Sequence, residues 1–202
     1  MKILAISGSP RREGNTVILL NEALKGAQQE GGEVELYSVS GKDLQPCDGC
    51  WGCTKNGECH IKDDMQGLYD KMIAADGIIF GTPIYFYGMA AQMKIIIDRT
   101  MPLNQPGRSL VNKVGGVVVD CGSMGLVSAL KDLYFYIVTR RMLPANFVAA
   151  YVDLQGKDLA KMEQCRKAAF DLGRQMVRLA GMKFEYPKEF MARSIAYGTH
   201  TK

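Results

Sequence analysis

The feature that most constrains this chain is a change of hydrophobic period repeated from one end to the other. Short apolar or alternating runs at 2–7, 33–39, 77–81, 113–120 and 147–152 read as strands. Between them lie stretches with apolar residues three and four apart. Val17, Leu20, Leu24 and Ala27 share one face of a helix over 15–30, stopped by Gly31-Gly32. Met65, Leu68, Met72 and Ala75 mark a second helix, for which Asp63-Asp64 offers an N-cap. A third runs through Met89, Met93, Ile96 and Ile97, and a fourth through Leu126, Leu130, Leu133 and Ile137. The last is striped by Leu159, Met162, Cys165, Ala169, Leu172, Met176 and Leu179. Five strands alternating with five helices predict an open, parallel, doubly wound sheet. One domain over 1–186 is expected, with 187–202 a tail and candidate arm on a partner subunit.

Composition excludes several classes. Of 202 residues, 47% are hydrophobic and 23% charged, which argues against a disordered chain or a disulfide-dense miniprotein. No apolar run reaches the ~18 residues of a membrane span, and the first apolar stretch is too short for a signal peptide. A cytoplasmic protein with no membrane association is expected. A net charge of +4, without any basic run of five, gives no sign of nucleic acid. Arg174, Arg178 and Lys183 read as cations at the end of the last helix.

In a doubly wound sheet, ligands bind beyond the carboxyl ends of the strands at the switch point. The loops after strands one, three and four are therefore the candidate site. The first, Ser7-Gly8-Ser9-Pro10-Arg11-Arg12-Glu13-Gly14-Asn15-Thr16, suits an anion: Ser9, Asn15 and Thr16 are donors, Arg11 or Arg12 adds charge, and a helix begins there. An ordinary turn with an asparagine cap is the bland alternative. The chain lacks G-x-G-x-x-G and a ribose-binding acid after strand two, which disfavours a dinucleotide site, and it lacks the G-K-[ST] of a triphosphate loop. A monophosphate anchor remains, and FMN is the natural candidate. Loop 82–88 offers Pro83 to fix a turn, Tyr85 and Phe86 as aromatic wall, and Gly88 for close backbone approach. After strand four come Gly122 and Ser123, small enough to leave room for a ring edge, and Cys121, read as a buried small hydrophobe rather than a redox thiol. Asp98-Arg99 reads as a solvated or interface ion pair.

Cys47, Cys50, Cys53 and Cys59 lie in a polar segment, 41–63, that holds neither period. The spacing C-x2-C-x2-C-x5-C suits a single [4Fe–4S] centre ligated by all four thiolates, with glycines for the turns. Zinc usually takes two knuckles further apart, though His60 beside Cys59 leaves a three-cysteine, one-histidine zinc site open. A site holding neither is the third reading. Trp51, among the ligands, either shields the centre or anchors the loop.

Gly8-Ser9-Pro10-Arg11 with Gly14-Asn15-Thr16, then 81–89 and Gln92-Met93-Lys94, resemble the flavodoxin-like NADPH-dependent FMN reductase superfamily. With the cysteines, the chain most resembles its iron–sulfur flavoprotein branch. The resemblance covers about residues 1 to 150. It implies a three-layer α/β/α sandwich with a parallel sheet of order 2-1-3-4-5 and a cysteine-rich loop after the second strand. It also implies FMN held by Ser9, Arg11, Asn15 and Thr16 and by Thr82, Pro83, Ile84, Tyr85, Phe86, Gly88, Gly122 and Ser123. Electrons would pass between NAD(P)H or a reduced carrier such as ferredoxin, the flavin and the cluster, in a homodimer or homotetramer. The alternatives are an NAD(P)H-dependent FMN or quinone reductase with a structural or empty cysteine site, and a non-enzymatic redox-sensing or interaction module. No side chain is assigned as catalytic acid or base.

Overall fold

The computed structural model describes residues 1–105, 108–152 and 162–190. The five long strands are β1 (Lys2–Ser7), β2 (Glu33–Ser38), β3 (Gly77–Tyr85), β7 (Val114–Cys121) and β8 (Leu143–Tyr151), with the two-residue strands β4 (Gly88–Met89), β5 (Asn104–Gln105) and β6 (Arg108–Ser109) between β3 and β7. The long strands pair in parallel in the order β2-β1-β3-β7-β8, so counting them alone gives the expected 2-1-3-4-5. Helices α1 (Asn15–Gln29) and α6 (Glu163–Gly181) pack on one face of the sheet, and α3 (Met65–Ala74), α4 (Ala91–Asp98) and α5 (Leu126–Thr139) on the other. β7 is buried at every position, as a central parallel strand covered on both faces must be.

Several boundaries differ from the sequence reading, each for a physical reason. Segment 41–63 is not all loop: a short helix α2 (Gly52–Asn56) forms inside it. β3 does not stop at Gly81 but continues to Tyr85 and folds back through an antiparallel hairpin onto β4. Met89, expected on the third helix, therefore sits in β4. Tight two-residue hairpins usually announce themselves with Asn-Gly or Asp-Gly. Here Phe86 and Tyr87 take the positive φ values, 45° and 65°, and the usual signal is missing. Asp64 does not cap α3 with its side chain; Asp63 accepts the Met65 N–H instead, at 3.1 Å. β8 starts at Leu143, four residues before the apolar run suggested, and the last helix starts at Glu163. Leu159 and 191–202 of the tail lie outside the described residues. Among the described residues no helix is long and apolar enough to cross a membrane.

Candidate functional site

The carboxyl ends of β1, β3 and β7 meet in a cleft of about 440 Å³, its open mouth included. Ser9, Arg11, Gly14, Asn15 and Thr16 line it from the first loop, Pro83, Ile84 and Tyr85 from the end of β3, and Gly122 from beyond β7. The three loops singled out in the sequence thus share one cavity.

The first loop is set by its own polar contacts. Ser9 is buried, and its Oγ accepts the Arg11 N–H at 3.2 Å. Gly8 donates its N–H to the Gly81 carbonyl at 2.7 Å, which fixes the loop to the end of β3. The N-cap of α1 is Gly14, not the asparagine, and no side chain caps the first turn. A helix start of this kind presents backbone N–H groups and a positive dipole end to an anion.

The second loop divides. Tyr85 faces the cleft while half-exposed, whereas Phe86 stands almost wholly in solvent, 99% exposed at the hairpin tip. Thr82 is fully buried and does not line the cavity. Its hydroxyl donates to the Pro83 carbonyl and accepts the Ala90 N–H, tying the strand end to the start of α4. Gly88 pairs with Tyr85 across the hairpin, and Ser123 is exposed beyond the lining residues. Gly125 lets the third loop close on that hairpin: its φ is +106°, and a Cβ there would lie 2.6 Å from the Cα of Tyr87.

The sequence reading missed Asp120. It closes the buried β7, is 5% exposed, lines the cleft and accepts the Thr16 hydroxyl at 2.5 Å. Burial pushes its carboxyl up to about 6, against the smaller opposing effects of the Thr16 hydrogen bond and the Arg11 charge. An acid ending a valine-rich strand was the available signal. Gly14, Cys121 and Val152 also line the cleft. Cys121 is buried, as expected of a small hydrophobe.

The cysteine segment stands apart from the cleft, which none of its residues lines. Cys47 and Cys50 are exposed, Cys53 and Cys59 half-buried, and all four are free thiols. Trp51 and Gly57, both with left-handed backbone, bracket α2, and Trp51 is exposed rather than anchoring the loop by burial. Burial first, then the charges of Cys59, Cys50 and Cys47, push the Cys53 thiol up, the direction that repulsion from neighbouring thiolates gives. Such a set fits a cationic centre, which removes the repulsion. His60 is engaged with Asp48, its Nε2 lying 2.7 Å from Oδ2. Among the described residues, the trio of such donors lying within 4.8 Å of one another is Asp48, Cys50 and His60, not three of the cysteines.

The expectation for Asp98-Arg99 is corrected. Asp98 pairs with Lys94 on the surface, while Arg99 is fully buried and forks onto Asp63. Burial overturns the solvated reading: a guanidinium without solvent requires a carboxylate beside it. Arg174 and Arg178 likewise do more than complement a helix end; both reach across to Glu30, next to the end of α1.

The sequence model of the NADPH-dependent FMN reductases matches residues 1–153. The chain belongs to that family. Within it, an iron–sulfur flavoprotein of Methanocaldococcus jannaschii is 51% identical over 145 residues, 71% of this chain and 75% of the relative, which places the chain in the iron–sulfur flavoprotein branch. The structure of a flavone reductase superposes with a TM-score of 0.72 at 26% identity, covering 90% of this chain and 63% of that one. This chain thus spans less than two thirds of that protein's length. A flavodoxin from the domain Archaea superposes with a TM-score of 0.60 at 15% identity, covering 90% and 99%, and the fold is flavodoxin-like. As an FMN reductase family member the chain is a flavin-dependent oxidoreductase rather than a non-enzymatic module.

Proposed function

We propose that this FMN reductase family member is an electron-transfer flavoprotein with FMN in the cleft and a [4Fe–4S] centre on Cys47, Cys50, Cys53 and Cys59. The observation that carries the flavin half is the convergence of the anion-suited first loop with the Pro83–Tyr85 wall in one cavity. Arg11 and the amides at the start of α1 would take the phosphate, and Ser9 would hold the loop in shape for it. Pro83, Ile84 and Tyr85 would flank the isoalloxazine, with Gly122 leaving space at its edge. FMN supplies hydride and electron chemistry once bound. What this chain contributes is binding, orientation and a dry wall.

The cluster half rests on the compact cysteine spacing and on the relatives' naming. The run of three cysteines three residues apart, without a second knuckle a dozen residues on, is what supports the cluster over zinc. Electrons would enter from NAD(P)H or a reduced carrier such as ferredoxin.

Anaerobic purification with iron, sulfide, zinc and FMN quantified per chain tests both halves. The expected result is one FMN and about four iron and four sulfide per chain, as a four-cysteine cubane requires. C47A should lose the cluster absorbance and keep the flavin. A flavin-free preparation that binds no added FMN sinks the first half; zinc, or C47A with its cluster intact, sinks the second. Stopped-flow bleaching of the flavin by NAD(P)H against reduced ferredoxin identifies the donor.

A further inference from the structure

Arg99 follows α4, far along the chain from the cysteines, yet it grips both stems of their segment. Its Nη1 donates to the Gln45 carbonyl and to Asp63 Oδ2, each at 2.7 Å. Its Nη2 donates to Asp63 Oδ1 at 3.0 Å and to the Ile61 carbonyl at 3.3 Å. Gln45 lies just before Cys47, and Ile61 just after Cys59. Asp63 completes the ring by accepting the Gln45 N–H at 2.8 Å. The planar, five-donor guanidinium makes this fork; an ammonium cannot.

Two further observations point from Arg99 toward the thiols. Its Nε–H is buried and has no acceptor, a condition rare enough in folded proteins to require an explanation. The Tyr69 hydroxyl donates to the Arg99 carbonyl at 2.7 Å, Cys59 packs against the buried cluster that contains Tyr69, and Arg99 Nη2 reaches the Ile61 carbonyl two residues beyond Cys59.

We propose that Arg99 is the positioning residue of the four-cysteine site: it clamps both ends of the segment so that the thiols are gathered before any centre is inserted, and it holds a buried cation beside Cys59. The second half rests on the iron–sulfur reading above; the clamp does not. A cation next to a ligand favours the more negative, one-electron-reduced form of a centre, so it raises the reduction potential.

The test compares R99M, R99K and D63N with wild type as FMN-loaded full chains. Before reconstitution, amide exchange at residues 43–62 and thiol labelling of Cys53 and Cys59 should be about tenfold faster or more in R99M and D63N, because local opening no longer has to break the fork. After anaerobic reconstitution, titration with a chemical reductant should give a lower potential in R99M, where the cation is gone. It should give a higher one in D63N, where the cation has lost its counter-charge, and a potential near wild type in R99K despite a looser loop. Opposite shifts in R99M and D63N are what simple loosening cannot produce. Shifts of the same sign overturn the electrostatic half, and unchanged exchange overturns the clamp. If R99M does not fold, R99K and D63N carry both readouts. A wild-type protein that takes up no iron and sulfide defeats the iron–sulfur reading, while the exchange data still decide the clamp.

Discussion

Asp120 combines two properties that pull against each other, deep burial and a charge. Its pKa rises from an ordinary 3.8 to about 6 because desolvation outweighs the Thr16 hydrogen bond and the Arg11 charge. The folded state therefore holds more protons than the unfolded chain between pH 4 and pH 6. Stability from this group is fully present below the unfolded pKa and is lost as pH climbs through that window. A shift of about two units corresponds to about 3 kcal/mol. D120N keeps an acceptor for Thr16 without the charge. Relative to wild type it should gain about 3 kcal/mol between pH 4 and pH 7, read from urea unfolding at the two pH values. Wild-type and variant stabilities that change in parallel would show that Asp120 is not held protonated by its burial. The same residue marks how far a site can be read from a chain. Ser9, Arg11 and Thr16 announce themselves because loop donors before a helix have one obvious use. Asp120 does not, because its carboxyl meets Thr16 only after strand pairing brings β7 beside β3. Arg99 is hidden for the same reason: its partner Asp63 is distant in sequence, and the clamp exists only in three dimensions.

At the scale of elements, all five long strands and the five long helices were legible, because hydrophobic period reports directly which side of an element meets the core. What escaped were devices without a period: the β3–β4 hairpin, whose turn is Phe-Tyr, and α2, too short for any stripe. The closest approach of two elements was also invisible in the stripes. Helices α1 and α6 meet backbone to backbone through two glycines. A Cβ on Gly26 would lie 1.9 Å from the Phe170 carbonyl oxygen, and one on Gly173 would lie 1.7 Å from that of Ala23. Neither neighbour is a flexible side-chain tip that can turn away. In an isolated helix, replacing glycine by alanine gains about 1 kcal/mol. Here overpacking, typically costing about 1–3 kcal/mol, must be met by separating the helices. G173A should lose about 3 kcal/mol or more in denaturant unfolding, with G181A, where a Cβ meets nothing, as the neutral control. A stable G173A would mean that the helix pair has slack that the close approach denies.

The whole molecule has an asymmetric sheet edge. β8 is the last strand, paired on one side only. One of its faces, carrying Ala145, Val148 and Ala150, is buried with α6. The other carries Phe147 and Tyr151, each more than half exposed, because α5 lies over β7 and covers β8 only in part. Phe135 and Val138 of α5 are exposed to a similar degree. Edge strands with large apolar side chains are surfaces that proteins normally pair or cover. A second copy of this chain is the simplest cover, and it would stand beside the cleft, since Tyr151 pairs with Cys121 and precedes Val152, both of them cleft-lining. The cysteine segment, which follows β2 at the opposite edge, contributes nothing to the cleft of its own chain. The protein should therefore sediment as a dimer or tetramer, and F147E with Y151E should shift it to monomer while FMN binding persists. Wild-type protein that sediments as a monomer would leave the apolar edge to a different occupant.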